Sequence, residues 1–305
     1  MTSLDWSRIR IALVAGDERD PEIARLAAET GATVSAFGLP WPNGGVPGVE
    51  RAPSAAEAVD GANYLLFPIP VGVGAFLYAP HEPEPIVADE ALFSKAADDA
   101  WLFCGRATPE IRAGAQAGGI NVHEYDPDRE LMLLRGPAIV EGALQQAIEA
   151  TDVTINDAEV VVVGFGNIGQ LLARTLRALG ARVHVAARNP IQRAQAYADG
   201  LLPVPLEYLP ELASSLDMVF STVPARVVDR SVLERLPEGA LVLDIAPPPD
   251  HADLELAAAL GLRAVWARGL GRRAPVTVGR SQWSGIRRYI TEIETARREG
   301  RSWQP

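Results

Sequence analysis

The sequence predicts an α/β protein made of two doubly wound parallel sheets, and three observations carry that expectation. Short apolar strands alternate with helical segments from residue 9 to residue 123. The alternation begins again at Val160, after one long helical stretch. The second set opens on the strand Val160-Val161-Val162-Val163, which runs straight into Gly164-Phe165-Gly166-Asn167-Ile168-Gly169.

In the first set, residues 9–14 read as a strand, 22–30 as a helix and 32–37 as a second strand, a βαβ start. Asp17 or Asp20, just ahead of Pro21, suits a helix N-cap with proline in the first turn. Further strands are expected over 64–69, 100–104 and, more weakly patterned, 120–123, with a helix over 90–98. Segments 38–48 and 78–85, rich in proline and glycine or proline alone, read as loops. A helix starting at Pro137 and running to 152 presents Ile139, Val140, Ala143, Leu144, Ala147 and Ile148 at helical spacing and leads into the second set. There, strands are expected over 160–163, 183–187, 218–221, 241–244 and 264–266, with a helix over 168–179 that Gly180 terminates. A last helix over 282–298 can return to the first domain. The expected division is 1–135 with 280–305 as a substrate domain and 136–279 as a cofactor domain, both Rossmann-like.

Composition narrows the class. The 305 residues are 48% hydrophobic and 22% charged, a soluble globular profile with room for two cores. No run of 18 apolar residues exists, and the opening residues lack a basic and an apolar region, so neither a membrane span nor a signal peptide is expected and a cytoplasmic protein is. Cys104 is the single cysteine, which excludes an intrachain disulfide and a cysteine-rich metal site. With 28 basic against 39 acidic residues the net charge is −11, which argues against nucleic acid as a partner. Lys95 is the only lysine, on a segment that reads as surface helix, so lysine-dependent chemistry has little to work with. His81, His123, His184 and His251 are scattered, no metal site is expected, and His184 and Cys104 read as packed strand residues.

The glycine turn carries the chemistry. In a strand–turn–helix setting the first glycine permits the tight turn and the second lets a pyrophosphate approach the main chain. The third brings helix and strand together, and the helix N-terminus favours the phosphates. NAD-preferring sites usually place an acid about 20 residues on, at the end of the next strand. Here that end reads Ala186-Ala187-Arg188-Asn189, with no acid, and Arg188 can pair with a 2′-phosphate, so NADP(H) is expected over NAD(H). Arg188 can equally stack on adenine or point to water. Thr222, Val223 and Pro224, and then Ala246, follow later strands and are expected beside the cofactor, unless they are ordinary strand-end loops.

Several segments together resemble the family of dipicolinate synthase A subunits. They are Ala15-Gly16-Asp17-Glu18-Arg19, Pro137-Ala138-Ile139-Val140-Glu141-Gly142, the glycine turn with Ala186-Ala187-Arg188, and Gly269-Leu270 with the stretch 275–279. The likeness covers nearly the whole chain in order and length. It implies oxidation of dihydrodipicolinate to dipicolinate with NADP(H) or NAD(H) during endospore formation, together with a flavoprotein-like second subunit, in an oligomer. It also implies a site between the two domains, with Arg19, Arg135 and Glu141 as candidate catalytic residues for a small dicarboxylate. Arg106, Arg272 and Arg273 are further arginines in expected loops, and Glu141 can instead complement its helix N-terminus. Three segments depart from the family pattern: Val71-Gly72-Val73-Gly74, Arg135-Gly136 and Val276-Thr277-Val278-Gly279. Cofactor-side features are kept and substrate-side ones altered.

Two other readings compete. A 2-hydroxy-acid dehydrogenase shares the two-domain plan but needs a histidine–carboxylate pair and an arginine after the strand ending Asp244-Ile245-Ala246-Pro247-Pro248-Pro249. No arginine stands there and no histidine follows His251. A non-catalytic NADP-binding regulatory subunit fits the altered loops and the lack of an evident acid–base pair.

Overall fold

A computed structural model describes residues 4–246 and 252–303. The chain divides into two compact units, Met1–Arg135 with Ala274–Pro305, and Gly136–Arg273. The return to the first unit comes at Ala274, ahead of the expected 280, because Pro275 already opens the last helix.

The first unit is built on β1 (Arg10–Val14), β2 (Thr33–Phe37), β3 (Val49–Arg51), β4 (Tyr64–Leu66), a small hairpin of β5 (Gly72–Val73) and β6 (Phe76–Leu77), β7 (Trp101–Cys104) and β8 (Asn121–Glu124). Six of these form one parallel sheet in the order β3-β2-β1-β4-β7-β8. The central strands are buried on both faces, and alternate residues serve alternate layers. Ile11, Leu13, Tyr64 and Phe103 pack with Trp283, Ile286 and Ile290 of the helix Pro275–Arg298. Ala12, Val14, Leu65 and Leu102 pack with Phe93 and Ile111 on the other side.

The second unit repeats the plan with β9 (Glu159–Val163), β10 (Arg182–Ala187), β11 (Leu202–Pro205), β12 (Met218–Ser221), β13 (Leu241–Asp244) and β14 (Arg263–Trp266). Its parallel order is β11-β10-β9-β12-β13-β14. Val160 and Val162 face Leu172, Ala173 and Leu176 of the helix Asn167–Ala178, together with Val140, Ala143 and Ala147. Val161 and Val163 face Leu209, Val232, Leu233 and Ala257. The expectation of two Rossmann-like, doubly wound parallel sheets is thus met.

Several element boundaries differ from the sequence reading, each for a local reason. The helix expected to begin at Pro137 begins at Arg129, because Asp128 Oδ1 accepts the amides of Glu130 (2.8 Å) and Leu131 (3.2 Å) and caps it there. Pro137 therefore lies inside the helix rather than at its start. The last helix begins at Pro275 instead of 282, with Val278, Gly279 and Ser281 buried; a Cβ on Gly279 would sit 2.8 Å from the Arg19 carbonyl oxygen. The helix expected over 90–98 stops at Phe93. Neither Asp17 nor Asp20 caps the helix Asp20–Ala28: its N-cap is Arg19, without a side-chain bond, and Asp20 Oδ2 accepts the Asp17 amide at 2.8 Å. The edge strands β3 and β11 and the β5–β6 hairpin were not expected. Pro203 and Pro205 obscure β11, and an edge strand tolerates them because one of its sides needs no amide.

Candidate functional site

In each unit the chain winds outward from one strand, then returns to that strand's other side and winds the opposite way. The crevice at that reversal, outside the carboxyl ends of the strands, is where such sheets bind ligands. In the second unit it lies between β9 and β12. The loop leaving β9 is the glycine turn, and its three glycines differ in what surrounds them. Gly164 has φ +94°, and a Cβ there would stand 2.5 Å from Val223 Cγ1 and 2.7 Å from Thr222 Oγ1, on the loop leaving β12. A Cβ on Gly169 would overlap the Gly164 carbonyl oxygen, so the helix Asn167–Ala178 starts directly against the strand end. Gly166 is exposed, with nothing within 4 Å of the Cβ position. It is the helix N-cap and supplies no side-chain cap, so the first helical amides are left for a ligand. This is an open cradle suited to a pyrophosphate.

The other residues expected at the cofactor differ in burial and in what holds them. Phe165 is buried in the core, its carbonyl accepting from Gln170 Nε2 at 3.1 Å, while Asn167 and Ile168 are half-buried at the helix start. Thr222 Oγ1 donates to the Val163 carbonyl at 2.9 Å, tying the loop after β12 to β9; Val223 is half-buried and Pro224 exposed. Ala246 is buried, its amide held by Asp244 Oδ1 at 2.7 Å, while Asp244 Oδ2 accepts the Ala252 amide at 2.6 Å. The buried Asp244 thus anchors both ends of the loop after β13. Pro247, Pro248, Pro249 and His251 lie outside the described residues. At the end of β10, Arg188 is exposed. Asn189 is a helix N-cap, its Oδ1 accepting the Ile191 amide at 2.8 Å. Arg193, not singled out from the sequence, donates from Nη1 to the carbonyls of Ala187 (2.8 Å) and Arg188 (2.7 Å). The only signal for it in the sequence is a second arginine in a stretch, 187–193, that holds no acid.

The first unit fills the equivalent crevice, between β1 and β4, with its own charges. Arg19 grips the fully buried Asp17 through two parallel bonds, Nε to Oδ1 at 2.8 Å and Nη2 to Oδ2 at 2.7 Å. Arg19 Nη2 also donates to the carbonyl of Ile69, on the loop leaving β4, next to the cis Ile69–Pro70 bond. Asp20 is buried close by, and burial pushes its pKa up to about 7 against the opposing pull of the Arg19 guanidinium. Tyr125, at the end of β8, is also raised by burial, and Gln282 Nε2 reaches its hydroxyl at 3.4 Å. Asp20, Tyr125 and Gln282 are members of this cluster that sequence spacing does not bring together. Of the other candidate residues, Arg135 pairs with Asp126 at 3.3 Å with its side chain 13% exposed, and Glu141, mostly exposed, pairs with Arg273. Arg272 and Arg273 lie on the short turn Leu270–Arg273. Arg106 is exposed. His184 Nε2 lies 3.0 Å from Glu159 Oε2, a histidine–carboxylate pair set toward the amino ends of β9 and β10, at the opposite edge from the glycine turn. Cys104 is buried and its thiol is pushed up to about 12 by burial, which leaves it protonated and inert.

Sheet order and glycine turn together define a dinucleotide-binding protein of the dehydrogenase kind, with a second sheet of the same winding in one chain. Residues 138–266 match the family model of the S-adenosyl-L-homocysteine hydrolase NAD-binding domain, which supports a nicotinamide dinucleotide as the cofactor. Residues 10–125 match the N-terminal domain of the dipicolinate synthase A subunit. The chain is 27% identical over 289 residues to the dipicolinate synthase A subunit of Bacillus subtilis (strain 168), covering 94% of this chain and 97% of that one. The crystal structure of the dipicolinate synthase A subunit from Bacillus halodurans superposes with a TM-score of 0.86 at 26% identity, over 92% of this chain and 97% of the other. The corresponding crystal structure of the Bacillus subtilis dipicolinate synthase gives 0.84 at 26% identity, over 94% and 97%. The resemblance to the dipicolinate synthase A subunit therefore runs from end to end, as the sequence segments indicated. Among the described residues, no helix is long and apolar enough to cross a membrane.

Three variants test these sites. Gly166→Ala places its methyl in open space at a φ of −79°, so it should keep the parent melting temperature while weakening dinucleotide binding. Gly169→Ala should lower both, since its methyl forces the helix off the strand. Asp20 binds its proton more tightly folded than unfolded, so its contribution to stability is present below pH 3.8 and is lost as pH rises through about 7. Asp20→Asn keeps an acceptor for the Asp17 amide. It should gain stability relative to the parent between pH 4 and 7 in denaturant titrations, and the difference should level off above that.

Proposed function

We propose that this chain is an NADP(H)-dependent oxidoreductase that oxidises dihydrodipicolinate to dipicolinate, acting with a second, flavoprotein-like subunit. The observation that carries the reading is the uncapped helix start at Gly166, open to a pyrophosphate, in a chain that resembles the dipicolinate synthase A subunit throughout. The residues present fit the cofactor. Gly164, Gly166 and the amides at Asn167 and Ile168 would hold the pyrophosphate, Thr222, Val223 and Pro224 would line the ribose side, and Ala246 would flank the nicotinamide. When bound, that ring supplies the hydride acceptor. The substrate's loss of hydride and a proton leaves an aromatic ring, so the protein need provide no strongly perturbed base. An oligomeric assembly, a cytoplasmic location and a role in endospore formation belong to the same reading.

The first unit is the proposed substrate domain. Its crevice holds Asp17 and Asp20 where phosphates would otherwise sit, which disfavours a second dinucleotide. Arg19, Arg135 and Glu141 are the proposed substrate-side residues. Each already has an oppositely charged partner, Asp17, Asp126 and Arg273 respectively; the Arg19 pair is buried and would stay intact, so a dicarboxylate would bind by exchanging one of the other two ion pairs. The 3.3 Å contact of Arg135 is the loosest of these and the easiest to exchange. The same pairing supports a second reading, in which the chain binds NADP(H) but its partner subunit completes the substrate site.

Calorimetric titration of dipicolinate into the purified chain, with and without saturating NADP(H), separates the two. Binding that appears or tightens with the cofactor is the expected result. Cofactor binding without any dipicolinate response would remove this substrate from the isolated chain. Arg188→Asp should weaken NADPH far more than NADH, and equal losses would sink the assignment of Arg188 to the 2′-phosphate.

A further inference from the structure

The end of β10 carries a second arginine whose position is fixed by the main chain. Arg193 sits early in the helix Pro190–Ala198, half-buried, and its Nη1 bonds two consecutive carbonyls, Ala187 and Arg188, at 2.8 and 2.7 Å. Those carbonyls close the strand beside β9, where the adenosine ribose of a dinucleotide on the glycine turn lies. Both bonds come from Nη1. The Nε–Nη2 edge makes no hydrogen bond among the described residues, and that edge is the fork that matches two oxygens of a phosphate.

Two other donors at this point are not free for a ligand. Pro190 has no amide hydrogen, and the Asn189 side chain takes the Ile191 amide at 2.8 Å, so the start of this helix is capped from within. Side chains can neutralise a phosphate held here, and residues 187–193 offer two arginines and no acid. Arg188 is exposed, and holding it still costs side-chain entropy. Arg193 is held already, and by gripping the Arg188 carbonyl it also fixes the backbone from which Arg188 projects.

We propose that Arg193 is the second cation of a ribose 2′-phosphate subsite, donating its Nε–Nη2 edge to the phosphate while its Nη1 holds the loop that presents Arg188. The ligand class is a dinucleotide bearing a 2′-phosphomonoester, and the proposal rests on the dinucleotide reading of the glycine turn.

The test is titration of the full chain with NADPH and with NADH, followed by nicotinamide fluorescence, for the parent, Arg193→Ala and Arg193→Lys. A charge-assisted bond to phosphate is worth roughly a tenfold to hundredfold change in affinity. Arg193→Ala should lose about that much for NADPH while NADH stays within about twofold, and Arg193→Lys, which keeps the charge without the fork, should fall between. Equal losses for both cofactors would reduce Arg193 to a loop support and overturn the phosphate contact. A parent that binds NADH as tightly as NADPH would overturn the subsite and leave the dinucleotide reading standing. A parent that binds neither would overturn both.

Discussion

The second unit depends on one close approach: the helix Asn167–Ala178 starts so near the end of β9 that residue 169 has no room for a side chain beside the Gly164 carbonyl. That approach sets the first helical amides at the carboxyl edge of the sheet, where their partial positive charge is of use to an anion. It holds because the valines of β9 are buried in the core on both faces of the sheet, which locks the strand, and because Leu172, Ala173 and Leu176 lock the helix against it. Thr222 completes the frame by tying the loop after β12 to the Val163 carbonyl. Of the three glycines of the turn, Gly166 is the exposed one.

The two units show how one topology can serve opposite electrostatic ends. Both reverse their winding beside the first strand, and both place a glycine-containing loop there. In the second unit the loop offers uncapped amides and no charge. In the first, Gly16 is followed by Asp17, and the buried Asp17–Arg19 pair bridges to the Ile69 carbonyl on the facing loop. Breaking a buried pair of this kind by removing one partner costs about 3–5 kcal/mol, because the other charge is left without compensation. Arg19 is thus a structural clasp of the first unit, whatever ligand it also meets. Burial raises the pKa of Asp20 beside it, so this crevice carries a proton-binding group where the other presents the main-chain amides of a helix start.

The segments that depart from the family pattern have structural counterparts. Val71-Gly72-Val73-Gly74 leads into the β5–β6 hairpin, on which Val73 and Phe76 stand largely exposed as a cross-strand pair. In the helix Pro275–Arg298, the segment Val276-Thr277-Val278-Gly279 uses Gly279 to pack closely on the Arg19 backbone and Glu22. The turn Gly164–Gly169, by contrast, keeps the form that a strand–turn–helix requires.

Local pattern in the sequence was enough to establish two parallel sheets, the strand–turn–helix around Gly164, Gly166 and Gly169, and the absence of an acid after β10. These are properties of contiguous residues: alternating burial, a positive φ and a helix start each leave their mark within a few positions. Helix starts at Arg129 and Pro275 escaped it, because one depends on the Asp128 cap reaching forward and the other on burial against a helix more than two hundred residues earlier. The pairing of Arg19 with Asp17 and Ile69, the neutral tendency of Asp20, and the grip of Arg193 on the β10 end were decided only by tertiary structure. Each depends on burial or on a partner's carbonyl position, and neither quantity is written in the spacing of residues along the chain.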